Sequence, residues 1–423
     1  MIPAGRDGRR QVHLAIFGVV ALCFVRITAI GELYICELVL TAIVMFHVLR
    51  GRPLQVDRPV AILIGLLALW LFGQIWADMY RLTEFTNYSR GWARIVFTAL
   101  NLLGLYLLTK GDERRIRVAF LGLAIGQAVG SLVQPTVYTQ SDLWKFGLAF
   151  PLTTLAALLA CSQPIWRRRI GPFVVLVVMA GVNVRLGARS LAGVCFLASL
   201  YTLVATRDRD HATNTHRPSS LVVLVLGVVA MVVGSYFYGS MAKSGLLGEA
   251  AQVKYEFQST GRYSLLLGGR NEIVFSSLAI RESPILGHGS YVGFPVLLQA
   301  AGAAQLADWG YEYLLPSEDQ PDLLPTHSGL FGAWVEAGIL AVPFWVVLLV
   351  LLWRGCIRTM QRGDALTPLR VFIAIAVSWD VLFSPFGADR RITVPLAILL
   401  LIGGEHGNRR IDDTQVQHHY ALV

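Results

Sequence analysis

The feature that most constrains this 423-residue chain is a run of long apolar blocks broken by short, arginine-bearing loops. A bilayer-spanning helix needs roughly 20 mostly apolar residues. Blocks of that kind run from about Val12 to Ile30, Leu33 to Leu49, Pro59 to Trp76, Trp92 to Leu108, Ile116 to Val133 and Leu143 to Cys161. Others run from about Ile170 to Val184, Ser190 to Ala205, Leu221 to Tyr238, Gly329 to Trp353, Leu369 to Phe383 and Ile392 to Gly403. The pattern predicts an all-α polytopic integral membrane protein of about 12 transmembrane helices. Only 15% of the residues are charged, against roughly 25% in a soluble domain. A soluble enzyme, a secreted disulfide scaffold and a disordered chain are all excluded. The formal net charge of +9 does not indicate nucleic acid, because the basic residues lie between apolar blocks rather than on one face. The cysteines, Cys23, Cys36, Cys161, Cys195 and Cys356, are scattered and odd in number. They read as small packing residues, neither a disulfide framework nor a metal cluster.

Charge sets the orientation. With the N-terminus inside, every inside segment is basic, from Arg6, Arg9 and Arg10 to Arg409 and Arg410. The positive-inside rule then places both ends in the cytoplasm. The first block follows a charged start but lacks a small-x-small cleavage site, and another span follows at once, so it reads as a retained span containing Arg26. The chain divides into an N-terminal bundle of about nine spans (residues 1–238), a large extracytoplasmic loop between spans nine and ten (239–326), about three C-terminal spans (327–404) and a polar cytoplasmic tail (405–423).

Length makes the loop the best candidate for the working part, since long connections are usually functional or disordered. Its apolar run from Ile273 to Phe275 and its aromatics, Tyr255, Phe257, Tyr291, Trp309, Tyr311 and Tyr313, predict order. Residues Asn271 to Glu282 read as a short amphipathic helix stopped by Pro284, Gly287 and Gly289. Three outer sites stand out. Arg185 and Arg189 flank a glycine turn and, if helical, share a face; the alternative is two interfacial arginines. Gly268-Gly269-Arg270-Asn271 leads into the amphipathic helix, whose N-terminus favours anions, with Arg270 a bidentate phosphate ligand; the alternative is an ordinary capped helix. Thr326-His327-Ser328 marks the re-entry to the tenth span, and histidine can act as acid, base or donor near neutral pH. Glu336, nine residues on, falls on the opposite face of a helix beginning at His327 and reads as a buried partner for a basic or backbone group elsewhere. His288 reads as a turn residue, Asp208 and Asp210 as a loop pair, and Glu318, Asp319 and Asp322 as a solvated loop. Arg390 and Arg391, at the outer mouth of the last span, read as snorkelling side chains, the alternative being part of an anion site.

In this order, Arg189-Ser-Leu-Ala-Gly193, Gly269-Arg270-Asn-Glu-Ile with Pro284-Ile-Leu-Gly287-His-Gly289, and His327-Ser-Gly-Leu330 with Trp334-Val-Glu336-Ala-Gly338 resemble the O-antigen ligase and O-antigen or exopolysaccharide polymerase superfamily of bacterial membrane glycosyltransferases. The resemblance implies an inverting, metal-independent and cofactor-free transfer of glycan from an undecaprenyl-diphosphate-linked donor on the periplasmic side of the inner membrane. Its acceptor would be a lipid-linked repeat unit or lipid A-core, with a slight preference for the repeat-unit polymerase over the ligase. It assigns Arg189 and Arg270 to the diphosphate and His327 to the acceptor hydroxyl. Arg185, Asn271 and Ser328 become further substrate contacts and Glu336 an ion-pair partner. Ser328 stands where family members often have Asn. The alternative function is a transporter or flippase of the same lipid-linked glycan.

Overall fold

The computed structural model describes residues 6–28, 31–166, 170–209, 220–259, 261–262, 270–311 and 323–403. Its helices are α1 (Arg6–Ala21), α2 (Ile35–Leu49), α3 (Arg58–Arg81), α4 (Phe85–Thr109), α5 (Glu113–Val133), α6 (Ala149–Ala160), α7 (Gly171–Arg185) and α8 (Arg189–Arg209). They continue with α9 (Ser220–Lys243), α10 (Glu249–Ser259), α11 (Glu272–Glu282), α12 (Val296–Asp308), α13 (Gly329–Ala337), α14 (Val342–Arg362), α15 (Thr367–Phe383) and α16 (Arg390–Ile402). Among the described residues, four helical stretches are long and apolar enough to cross a bilayer: Arg58–Arg81, Phe85–Thr109, Glu113–Val133 and Gly329–Gln361. Shorter apolar helices cover Ile35–Leu49, Trp144–Ala160, Gly171–Arg185 and Arg189–Ala205. Helices suit such sequences because lipid offers no partner for a free backbone group. This is an all-α, membrane-embedded architecture, with one core running through both the early and the late helices.

Two apolar blocks depart from the expected single spans. In the first, α1 stops at Ala21, and β1 (Arg26–Thr28) pairs antiparallel with β2 (Glu32–Tyr34). Val25, Ile27 and Thr28 are β-branched and suit an extended chain. Arg26 therefore lies in a hairpin rather than a span. Its guanidinium meets Glu32 at 3.0 Å, and its backbone N–H donates to Gln134 Oε1 at 2.7 Å. In the tenth, the helix breaks between α13 and α14 at a 3-10 turn, Gly338–Ala341, where Gly338 has φ +67°.

That break is a backbone crossing. The His288 N–H donates to Val335 O at 2.8 Å, Gly289 N–H to Glu336 O at 2.9 Å and Ile339 N–H to Ile285 O at 3.2 Å. The Trp334 indole N–H donates to Pro284 O at 2.8 Å. A Cβ on Gly338 would lie 1.9 Å from Ile285 O, and one on Gly287, at φ +84°, 2.6 Å from Glu336 O. The two glycine-containing motifs thus lock onto each other. His288 is a structural turn residue, with Nε2 2.8 Å from Ala279 O.

The same loop segment is tied to the early helices. Asp78, near the end of α3, accepts from Ser290 N at 2.6 Å, Ser290 Oγ at 2.8 Å and Trp92 Nε1 at 2.8 Å. Arg81 donates to Gly287 O. Beyond the crossing, α11 and α12 enclose a small core of their own, with Phe275 and Phe294 edge to face at 5.0 Å and Val335 of α13 beside them. The amphipathic helix expected at 271–282 is α11, which buries Val274, Phe275 and Ala279.

Replacing Gly338 with Ala should abolish recovery of monodisperse protein, because both the backbone conformation and the space forbid a side chain. Gly65, in α3, has nothing within 4 Å of a built Cβ. Gly65→Ala should be neutral or stabilising by up to about 1 kcal/mol. Fluorescence-detected size exclusion with thermal challenge of the two variants checks both.

Candidate active site

Four separate elements bring charged side chains together at one end of the bundle. Arg189 is the first residue of α8, and its Nη1 donates to the Tyr238 hydroxyl at 2.6 Å. Arg270 immediately precedes α11, its guanidinium 5.9 Å from the Trp379 ring centre. Lys145 sits on a π-helical turn, Trp144–Leu148, and is within electrostatic reach of both Arg189 and Arg270. Single π-turns often occur at functional sites. His327 lies just before α13, with Nδ1 3.5 Å from Glu272 Oε1.

The environment of Arg270 is partly dry. Burial pulls its guanidinium below the usual range, while Glu272 and Asp380 pull the other way. Glu272 therefore faces both Arg270 and His327 from the first turn of α11. Asn271 Oδ1 and Glu272 Oε2 are enclosed, and neither has a hydrogen-bond partner among the described residues. A helix N-terminus and several cations make this a place where an anionic group can be held, while the two unspent oxygens are acceptors and suit a hydroxyl donor.

The structure thus links Arg189, Arg270, Asn271 and His327 in one neighbourhood. Arg185 stands apart. Gly187, at φ +81°, ends α7 and turns the chain before α8 begins. Arg185 and Arg189 consequently do not share a helix face, and Arg185 is exposed. Ser328 is largely committed to structure: its hydroxyl accepts from Phe331 N at 3.1 Å, capping α13, and donates to Val381 O at 2.9 Å.

Glu336 pairs with Arg94 of α4. Because α13 starts at Gly329 and His327 precedes its cap, helical angles do not relate His327 to Glu336. Arg390 and Arg391 do not snorkel. Arg390 pairs with Asp380 at 3.0 Å, and Arg391 is buried against Glu37, with Nε and Nη2 at 2.9 and 2.7 Å from its carboxylate oxygens. The side chains of Asp208 and Asp210, residues Gly268 and Gly269, and Glu318, Asp319 and Asp322 lie outside the described residues.

Under the loop is a cavity of about 290 Å³ lined by Trp70, Arg94, Tyr291, Thr326, Ser328 and Phe386, with Glu336 and several glycines; His327 itself is not in its lining. Sequence reading missed Arg94, Lys145, Glu272, Tyr291 and Asp380. Only Glu272 carried a local signal, an acid two residues after Arg270 at a helix start. No protein-family model matches the chain, and no characterised protein matches it significantly.

Removing Glu336 would leave Arg94 charged and enclosed. Glu336→Ala should cost about 3–5 kcal/mol, and adding Arg94→Met should recover part of it. Thermal unfolding of the purified single and double variants reads this out.

Proposed function

We propose that the protein is a glycosyltransferase of the bacterial inner membrane, with about 12 spans and its large loop on the periplasmic side. In this reading it moves glycan from an undecaprenyl-diphosphate-linked donor to an acceptor sugar hydroxyl, in exopolysaccharide, O-antigen or lipopolysaccharide biosynthesis. The observation that carries the reading is Arg270 beside the Glu272–His327 pair, with Lys145 within electrostatic reach of both Arg270 and Arg189.

The chemistry follows from those groups. The donor's anomeric carbon–oxygen bond breaks and leaves negative charge on a lipid diphosphate. Arg189 and Arg270 meet that charge as it develops, where burial strengthens the attraction. His327 directs Nδ1 toward Glu272, which leaves Nε2 for the acceptor hydroxyl. The hydroxyl proton passes to His327 as the new glycosidic bond forms. Attack from the side opposite the diphosphate inverts the linkage. Repeat-unit polymerase and lipid A-core ligase share this donor chemistry, and the acceptor alone separates them.

A flippase would work by passing charge across the bilayer. Among the described residues, the buried ionic groups instead lie in the first or last turns of their helices: Glu37 in α2, Asp78 in α3, Glu336 in α13, Arg370 in α15 and Arg391 in α16. Half-buried Arg94, in the middle of α4, is held by Glu336. This distribution favours the enzyme.

With normal membrane insertion, His327→Ala and Arg270→Ala should each lower transfer by about 10²–10⁴-fold. Arg185→Ala should change it by less than about tenfold. The check is the envelope glycan profile of a deletion strain complemented with each variant. Single-repeat glycan in the deletion strain indicates a polymerase; polymer left on the lipid carrier indicates a ligase. Full rescue by His327→Ala would transfer the assignment to transport.

A further inference from the structure

We propose that α12 lies along the membrane surface with its outward face in the hydrocarbon of one leaflet, so that the loop core docks on lipid. The inference does not depend on the transferase reading. The helix has an inner stripe, Leu298, Gly302 and Leu306, that is buried. Its outer positions carry Val296 and Leu297, 78% and 85% exposed, followed by the exposed alanines 300, 301, 304 and 307. Asp308, at the end, is the only charged residue of the helix. A helix facing water carries polar side chains on that side, whereas one that is apolar all round is covered by protein or by lipid.

Packing fixes that outward face. A Cβ on Gly302 would lie 2.1 Å from the Phe275 ring, so α12 meets α11 through bare backbone at this point. Phe294, just before the helix, packs edge to face on Phe275 at 5.0 Å, and Gln299 spends its Nε2 on Phe294 O at 2.9 Å. Rolling the helix to hide Val296 and Leu297 would bring a side chain into the space that Phe275 occupies, which a close-packed core resists.

The tether of α12 identifies what covers the face. Asp78, in the last turn of α3, holds Ser290 by its backbone N–H and its hydroxyl. Val296 follows six residues later, within about 20 Å of chain. Helix α3 is long and apolar enough to cross a bilayer, and its Phe72, Trp76 and Tyr80, each one turn apart, are exposed. That stripe faces lipid, and it ends in the aromatic types that favour the membrane boundary. Leu82 and Phe85 continue the exposed apolar surface around the corner into α4. Ile285 adds to it from the loop, two residues before the Gly287 carbonyl that Arg81 binds. The chain therefore enters α12 from the membrane boundary, where a large exposed apolar patch marks a contact. A second copy is the poorer occupant, because protein interfaces are anchored by Trp, Tyr and Arg and the outward face of α12 has none. Lipid tails require no polar partner and match Val, Leu and Ala.

The test places an NBD fluorophore on a single introduced cysteine, in full-length protein in lipid nanodiscs. The native cysteines are buried, and unsubstituted protein taken through the same labelling gives the background. Leu297→Cys and Ala304→Cys probe the outward face about two turns apart. Both positions are exposed, so neither substitution disturbs packing, and loss of one variant leaves the other as the test. Both labels should be quenched by nitroxide-bearing lipid, and quenching by aqueous iodide should be at least about fivefold weaker than for free NBD–cysteine in the buffer. Iodide quenching equal to that of the free dye would put the face in water. Shielding from both quenchers would put protein over it. Either result, at either site, overturns the proposal. None of these outcomes bears on transfer, which the glycan profile of His327→Ala decides separately.

Discussion

Everything around the candidate site depends on two stretches of backbone pressed together without side chains between them. Where Pro284–Gly289 passes over Trp334–Gly338, amide and carbonyl groups of each strand satisfy the other, and glycine is required on both sides. The crossing shortens the tenth apolar helix to the half-helix α13 and ends it beneath the loop. It also fixes where α13 ends, while the Ser328 cap sets its start beside His327, and it holds Glu336 where Arg94 meets it. Asp78 then fastens the same segment to α3, so this segment cannot move away from α3 without breaking buried hydrogen bonds.

What could be read from sequence was what depends on neighbours in the chain. Apolar run length located α3, α4, α5 and the stretch containing α13 and α14, and amphipathic spacing located α11. The order of arginine, arginine and histidine marked residues that the fold does gather. The hairpin at Arg26 was hidden because hydropathy does not separate an extended apolar segment from a helical one. Arg94 carries no local signal, since its partner Glu336 is 242 residues away. Arg185 and Arg189 were spaced as helical neighbours, yet Gly187 adopts a left-handed conformation between them. Lys145 joins the cluster through a π-turn that no sequence period announces.

The buried charges follow a common pattern: each cation meets a carboxylate drawn from a distant part of the chain or from across a turn. Arg391 meets Glu37, with Asn101 Nδ2 donating to both Glu37 Oε1 and Arg391 O at 3.0 Å. Arg370 meets Glu113 at 2.5 Å and also Asp364. Such pairs contribute little net stability compared with apolar packing, but they penalise any arrangement that separates them. They define which helix lies beside which, a specification that apolar contacts in lipid supply poorly.

The Glu37–Arg391 pair also imposes a schedule on biogenesis. Its partners are 354 residues apart, so at roughly 5–20 residues per second the ribosome needs about 20–70 s to supply the arginine after the glutamate has emerged. For that interval the second helix carries a carboxylate without its guanidinium. The nascent chain must keep it protonated, leave it at the water interface, or lend it to an insertase, and the last helix releases the chain from that dependence. The last described helix is thus a checkpoint on assembly as well as part of the bundle.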